Sequence, residues 1–188
     1  MAERATLRTQ SDWTFRDLDD LPADLERYEL WEGELIISPV PTVNHQELVG
    51  RIHSLFVMFD PQKSRGRYFV APVDVILGEK ITVQPDMLWV AKANEDIIKD
   101  KHIVGAPDLC IEVMSPGSEE DDRDRKRRYY AEGGVREYWL LDSVGRTLSI
   151  YDLGRNTHTV YEEGALAQST LPELAGLTVD VRELFAGL

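Results

Sequence analysis

Residues 106–142 constrain the fold of this chain most, because two apolar runs flank a strongly charged run. The first apolar run, at 109–114, lacks polar alternation, which predicts a strand buried on both faces. The charged run then leads to Gly133-Gly134, and a second apolar run follows at 138–142. This order predicts a strand, a charged helix that ends at the glycines, and a second strand.

Several ionisable side chains in this stretch need partners. Asp108 and Glu112 lie at the start of and within the first apolar run. A carboxylate in such a strand must be paired, hydrogen-bonded or bound to a metal. On the charged helix, Asp122, Lys126 and Tyr130 are four residues apart, so one helix face presents all three. The stretch is therefore the first place to search for a functional site.

Length and composition predict one globular domain. The 188 residues, 43% of them hydrophobic, suit a single domain over residues 1–188, with residues 1–11 as a loose leader. The single cysteine, Cys110, lies in the apolar run, which predicts a buried, inert thiol. The sequence has no apolar run of membrane-spanning length and its first residues lack a signal peptide, which predicts a cytoplasmic protein.

The charge distribution predicts that any contact with a polyanion is local. The formal net charge is -13, which opposes attraction of nucleic acid to the whole surface. Residues 123–128, RDRKRR, nevertheless hold five basic side chains in six positions. An acidic protein with one basic face is expected to meet a polyanion at that face.

The remaining patterns predict alternating helices and strands. Apolar spacing and turn residues predict, in chain order, a short helix capped by Thr14, a hairpin of strands 28–31 and 34–37, a helix capped by Asn44 that ends at residue 59, strands 68–77 and 81–91, a helix capped by Ser118, strands 148–153 and 157–162, and a closing helix at 182–185. This order predicts an α/β (α+β) fold with a central mixed β-sheet flanked by helices.

Asp86 and Glu112 are predicted to lie on neighbouring central strands. Two like charges about 4 Å apart repel by roughly 4 kcal/mol at an effective dielectric constant near 20. A divalent cation converts this repulsion into coordination, and carboxylate ligands suit Mg²⁺ or Mn²⁺. A nearby lysine would offset charge on a phosphate undergoing attack. The pair therefore indicates metal-assisted phosphoryl chemistry.

Six ordered blocks carry a resemblance to a known group. They are YELWEGELIISP at 28–39, VNHQ at 43–46, QPD at 84–86, PDLCIEVMSP at 107–116, D-x3-K-x3-Y at 122–130 and GVREYWLLD at 134–142. The set resembles the "putative restriction endonuclease" family of bacteria, within the PD-(D/E)XK nuclease superfamily. The likeness spans residues 28–142.

The resemblance implies a restriction-endonuclease-like core and a metal-dependent endonuclease that hydrolyses phosphodiester bonds, with DNA as the expected substrate. By position, Asp86 and Glu112 would be metal ligands, and both would be catalytic together with a lysine. The superfamily places that lysine two residues after the glutamate, where this chain has Met114. In this family it lies on the following helix, where Lys126 fits. Cleavage of two strands also favours a homodimer.

Other side chains have a functional and a plain interpretation. Asp122 and Tyr130 either support Lys126 or form pairs on the helix surface, and Lys126 itself could be one solvated base among five. For Asp108, a turn or capping role competes with a place in the site. The same choice, between a supporting role and a solvated or locally bonded one, applies to Glu34, His45 and Glu47.

Two other classes of function stay open. One is a noncatalytic module that binds nucleic acid or protein on a decayed nuclease fold, which Met114 and the acidic net charge favour. The other is a structural or dimerisation domain. The sequence contains no G-x4-GK-[ST], GxGxxG or G-x-S-x-G motif, so a nucleotide-driven motor, a dehydrogenase and a serine hydrolase with a nucleophile elbow are disfavoured.

Overall fold

A computed structural model describes residues 5–6, 12–21, 27–38, 40–114 and 121–188. The predicted cap Ser118 and most of residues 1–11 lie outside these ranges. The two described residues of the predicted leader, Ala5–Thr6, form strand β1. Within the described ranges, no helix is long and apolar enough to span a membrane.

The first sheet is built around the predicted hairpin. Its strands β2 (Arg27–Trp31) and β3 (Glu34–Ser38) pair in antiparallel fashion, which confirms the hairpin. The sheet also contains β5 (Val75–Gly78), β6 (Ile81–Val83) and β8 (Ile103–Val104). Across the described residues, its strand order is β1-β3-β2-β6-β5-β8. Because β5 and β8 run parallel while the other pairs are antiparallel, the sheet is mixed.

The second sheet carries the buried strand predicted at 109–114. It comprises β4 (Gly66–Val70), β7 (Met87–Ala91), β9 (Leu109–Val113), β10 (Glu137–Asp142), β11 (Thr147–Asp152) and β12 (Thr157–Tyr161). Its order in the part of the chain that the structure describes is β12-β11-β10-β9-β7-β4. Every residue of β9 is buried, as its continuous apolar run predicts. The β9–β10 pair is parallel and its neighbours are antiparallel.

Two long predicted strands are each divided in the structure. Residues 68–77 contribute to both β4 and β5, and residues 81–91 to both β6 and β7, so each segment crosses from one sheet to the other. Pro72 and Pro85 lie in the crossings, and proline cannot donate a hydrogen bond to a strand ladder. The prediction of two long, unbroken strands was wrong because apolar residues continue on both sides of each proline, so the sequence pattern does not show where one strand ends and the next begins.

Helix α1 (Val43–Phe59) supplies the apolar face that was predicted, with Leu48, Ile52 and Phe56 buried. Its cap is Thr42 rather than Asn44, because the Thr42 side chain accepts a hydrogen bond from the backbone N–H of His45. The two-residue error matters little for packing, since the buried face is unchanged.

The charged helix begins in a wider form than predicted. Residues Asp121–Lys126 form a π-helical turn that continues into α2 (Arg127–Gly133). Gly134 follows with φ of 97°, a left-handed conformation that glycine adopts without strain. The predicted glycine stop is therefore confirmed.

The last part of the chain adds a small sheet that the sequence did not predict. Strands β13 (Leu166–Gln168) and β14 (Thr178–Asp180) pair beside the one-turn helix α3 (Val181–Leu184), close to the predicted closing helix. Residues Lys92–Ile97, Pro172–Leu174 and Phe15–Asp20 form 3₁₀ helices, the last of them capped by Thr14 as predicted.

Two apolar clusters fill the interior on either side of the second sheet. Trp139 belongs to the cluster that includes α1, and Tyr138 belongs to the cluster that includes α2. Successive residues of a strand point to opposite faces, so one central strand serves both clusters. Tyr138, Trp139 and Cys110 are all buried, which confirms the burial predicted for the Cys110 thiol.

Candidate active site

The two predicted metal ligands lie at the same end of an antiparallel strand pair. Met87 of β7 is paired with Ile111 of β9, and Asp86 and Glu112 are the next residues outward on the two strands. The Oδ2 atom of Asp86 accepts a 2.8 Å hydrogen bond from the backbone N–H of Val113. Both acids are 2% exposed. The fold therefore brings together two carboxylates that are distant in sequence.

The charged helix delivers two of its predicted side chains to Glu112. The Nζ atom of Lys126 lies 2.8 Å from Oε1 of Glu112, and the Tyr130 hydroxyl donates a 2.6 Å hydrogen bond to the same oxygen. Lys126 is buried, so it is not a solvated base. The spacing of four residues accounts for the shared face. The third member of that pattern, the Asp122 side chain, lies outside the described residues.

Asp86 has two further partners from other elements. The Arg27 Nη1 atom on β2 lies 2.8 Å from Oδ1, and the His45 Nε2 atom on α1 lies 3.0 Å from Oδ2. His45 therefore lies in the cluster, which agrees with the supporting role considered for it and not with a solvated one. The sequence did not identify Arg27, because an arginine at the start of a strand is ordinarily solvated.

Glu29 on β2 is a member of the cluster that sequence reasoning missed. Its Oε1 atom lies 3.1 Å from Lys126 Nζ and accepts a 2.8 Å hydrogen bond from the backbone N–H of Gln84. The carbonyl oxygen of Gln84 in turn accepts a hydrogen bond from Arg27. Glu29 is 1% exposed, and its Oε2 atom is buried without a hydrogen-bond partner in the described structure. Its position between Tyr28 and Leu30 was a usable signal, since the same criterion identified Glu112.

Electrostatic pairing lowers the pKa of two acids of this cluster, Asp86 and Glu29. Burial opposes ionisation of Asp86, but the hydrogen bond from His45 and the charge of Arg27 hold its pKa well below the ordinary value. Burial likewise opposes ionisation of Glu29, whose pKa is lowered by the charges of Lys126 and Arg27. Burial and the nearby Glu112 raise the pKa of Tyr130 well above its ordinary value, so its hydroxyl remains a donor.

Three of the predicted supporting acids lie away from the cluster. Glu34 is exposed on β3, and Glu47 is exposed and pairs with Arg51 one turn later on α1. Asp108 precedes β9, at the end opposite to Glu112. It accepts hydrogen bonds from the backbone N–H of Ala91 at 2.7 Å and from Arg136 at 2.8 Å. The plain interpretation of Glu34 and Glu47, as solvated or locally bonded groups, agrees with their surroundings. Asp108 is buried and bonded to partners distant in sequence, which differs from the turn or capping role considered for it.

A cleft of about 410 Å³ opens beside Asp86. Its wall includes Arg27 and the α1 side chains His45, Gln46, Val49 and His53. Hydrogen-bond donors therefore line the approach to the buried acids, together with apolar surface. Such a mixed lining suits a ligand that carries both charged and apolar groups.

The predicted basic face is only partly available to a ligand. Arg125 and Arg128 are exposed, whereas Lys126 is buried in the cluster. The Arg125 guanidinium lies 5.2 Å from the centre of the Trp31 ring, and Arg128 pairs with Glu32 at 2.8 Å. These contacts orient the guanidinium groups beside the hairpin β2–β3.

The oxygen donors of Asp86 and Glu112 fit a hard divalent cation. A carboxylate offers about four lone-pair positions, and from the described residues Asp86 accepts three hydrogen bonds, so that within this part of the chain one position remains on Oδ1. In the described part of the chain, no group of three or more histidine, cysteine, aspartate and glutamate side chains is arranged to hold a metal. A cation held here would accordingly keep several water ligands, as Mg²⁺ commonly does.

Comparison with known proteins places the chain in a family. Residues 15–182 match the Uma2 family, described as "Putative restriction endonuclease", and the chain belongs to this family. A search of curated proteins found no match. The chain is also similar to a solved structure from Anabaena variabilis ATCC 29413, titled as "a putative nuclease belonging to DUF820". The two share 21% sequence identity, with 92% of this chain and 97% of that one covered and a TM-score of 0.78. The restriction-endonuclease-like fold predicted from the sequence is thereby confirmed.

Proposed function

We propose that this protein is a Mg²⁺- or Mn²⁺-dependent endonuclease that hydrolyses phosphodiester bonds in DNA. One observation carries the proposal: Asp86, Glu112 and Lys126 meet in one buried cluster, although they come from two strands and a helix. Membership of the restriction endonuclease family and the similarity to a nuclease fold support it.

The side chains would divide the work as follows. Asp86 and Glu112 would hold the cation, which when bound supplies Lewis-acid chemistry and a water of lowered pKa. Lys126 would offset the charge that develops on the phosphate, as a preorganised cation in a water-poor site does effectively. Arg27 and His45 keep Asp86 oriented.

The substrate strand would approach through the cleft beside Asp86. Arg27 and His53 offer donors to phosphate oxygens there, and Val49 offers apolar surface to a sugar or base. The exposed guanidinium groups of Arg125 and Arg128 would contact phosphates farther along the strand. Cleavage of both strands of a duplex requires two sites, so a homodimer is part of the proposal.

The direct test uses plasmid DNA with Mn²⁺ and the variant Glu112→Gln. Wild-type protein should nick or linearise the plasmid, and the variant should lose at least about 100-fold in rate because a metal ligand is removed. The exposed acid Glu34 supplies a matched control, and Glu34→Gln should cut like the wild type. Equal cleavage by wild type and Glu112→Gln would exclude the proposed site.

A second candidate function rests on Met114. This residue takes the place of the superfamily lysine and packs in the apolar cluster on the α2 side of the second sheet. If Lys126 fails to replace that lysine chemically, the protein would bind nucleic acid without cutting it. Binding of a labelled duplex, with no cleavage in Mg²⁺ or Mn²⁺, would favour this alternative.

A further inference from the structure

We infer that Glu29 is a positioning residue that holds the Lys126 ammonium beside Glu112. This inference rests on the proposed function. Glu29 touches Lys126 at 3.1 Å from a different sheet than Glu112 does, so the ammonium is held from two directions.

Lys126 needs a positioning residue because it lies on a helical turn and not on strand β9. A lysine two residues after Glu112 would share the rigid backbone of β9, whereas Lys126 reaches the site from a π-helical turn. Its stem has four rotatable carbons, and each freely rotating side chain costs entropy to hold in one place. A second ionic contact restricts the ammonium more than a contact with Glu112 alone.

The Glu29 carboxylate also allows Glu112 to act as a proposed metal ligand without being the sole partner of the Lys126 ammonium. An ammonium paired with Glu112 alone would be centred on the carboxylate that is proposed to bind the metal. Glu29 provides an opposing negative charge, so the ammonium lies between the two acids and Glu112 carries less of its charge. Removal of Glu29 would therefore displace the ammonium toward the metal ligand.

Glu29 is itself rigidly held. It lies within β2, which pairs with both β3 and β6, and its Oε1 atom is fixed by the backbone N–H of Gln84. Gln84 is two residues before Asp86. Strand β2 therefore positions Lys126 through Glu29 and Asp86 through Arg27. The lysine and the proposed metal ligand are both held by this one strand.

The test is a double-mutant cycle on the cleavage rate with Mn²⁺. The variants are Glu29→Gln, Lys126→Met and the two combined. If Glu29 acts through Lys126, Glu29→Gln alone should lower kcat about 100-fold, because small misplacements of catalytic groups cost that much. The double variant should then match Lys126→Met within about threefold. KM should stay near the wild-type value.

Two further measurements distinguish positioning from a structural or metal-binding role. Glu29→Asp keeps the charge but shortens the reach, and its kcat should fall between those of wild type and Glu29→Gln. Calorimetric titration should give the same Mn²⁺ affinity for Glu29→Gln and wild type. The exposed hairpin residue Glu34 supplies the control, and Glu34→Gln should leave kcat unchanged.

The outcomes separate this inference from the proposed function. Two results would overturn the positioning role alone. One is a double variant whose loss of kcat is the product of the losses in the two single variants, and the other is weakened Mn²⁺ binding in Glu29→Gln. Should Glu29→Gln fail to fold, the same cycle with Glu29→Asp decides by the same criterion. Absence of cleavage by wild type would overturn the proposed nuclease, and with it the inference.

Discussion

At the residue scale, Asp86 is an acid of the candidate site that several elements pair at once. It accepts from a backbone amide, a histidine and an arginine that belong to three different elements. Breaking a buried ion pair by removing one partner commonly costs 3–5 kcal/mol, roughly, because the other charge is left uncompensated. The residue therefore affects stability as well as the proposed chemistry.

This pairing predicts an acid-dependent loss of stability. The pKa of Asp86 is lowered in the folded state, so its contribution is fully present above the ordinary aspartate pKa of about 4 and is lost as the pH falls toward the folded-state value. The free energy of unfolding of wild type, measured with urea between about pH 5 and pH 3, should fall more steeply than that of Asp86→Asn. The exposed-residue variant Glu34→Gln should keep the wild-type slope. Parallel curves for wild type and Asp86→Asn would contradict the prediction.

Sequence reasoning identified one layer of the site and missed the next. Asp86, Glu112 and Lys126 were predictable because each breaks a local pattern or matches a family block. Arg27 lies outside these blocks and was not predictable, since its partner Asp86 lies more than fifty residues away. Glu29 lies in the block at 28–39 but was missed, since its partner Lys126 lies still farther along the chain. Only the buried setting of Glu29, between two apolar side chains, offered a hint.

At the element scale, the helix after β9 carries a lysine that could in principle sit on the strand itself. Alternate residues of a strand point to the same side, so position 114 faces the same way as Glu112. Met114 is buried, and an unpaired ammonium there would be costly. The carboxylate of Glu112 would offset that cost when Lys126 is absent.

Relocating the lysine should therefore restore part of the function. Lys126→Met should slow cleavage by about 1,000-fold and leave a measurable rate. The double variant Met114→Lys/Lys126→Met should cut at least about tenfold faster than Lys126→Met, because an ammonium again faces Glu112. Thermal unfolding should show that both variants are folded. A folded double variant that is no faster than Lys126→Met would show that position 114 cannot supply the group.

Elements with a strong periodic pattern were predicted well, and those broken by irregular backbone were not. Helix α1 was off by two residues only at its cap, because both Thr42 and Asn44 are good capping residues. The crossings at Pro72 and Pro85 were missed because sheet membership is decided by tertiary pairing. The small pair β13–β14 was missed because its strands have three residues each.

At the scale of the whole molecule, an acidic protein must present a restricted cationic face to its proposed substrate. The described residues of the charged helix contribute Arg125, Arg127 and Arg128 near the surface, against a net charge of -13. Each contact between a basic side chain and a phosphate releases counterions. The logarithm of the binding constant, plotted against the logarithm of the salt concentration, therefore has a slope of about −0.9 per contact.

Binding of duplex DNA should accordingly show a shallow salt dependence. The three arginines proposed to contact phosphates, Arg27, Arg125 and Arg128, predict a slope of about −3, measured by fluorescence anisotropy on the cleavage-deficient Glu112→Gln variant. Arg125→Gln should reduce the slope by about 1, whereas Arg155→Gln, in the exposed turn between β11 and β12, should leave it unchanged because Arg155 pairs with Asp152. A slope that is the same in all three proteins would place the contact surface elsewhere.

The distribution of the cluster along the chain also bears on its synthesis. The first strand of the hairpin supplies Arg27 and Glu29 early, whereas Glu112 and Lys126 follow more than eighty residues later. A ribosome that has made only the first half of this protein therefore displays no complete set of acids and lysine. The candidate site is therefore assembled only when the late segment of the chain folds onto the early one.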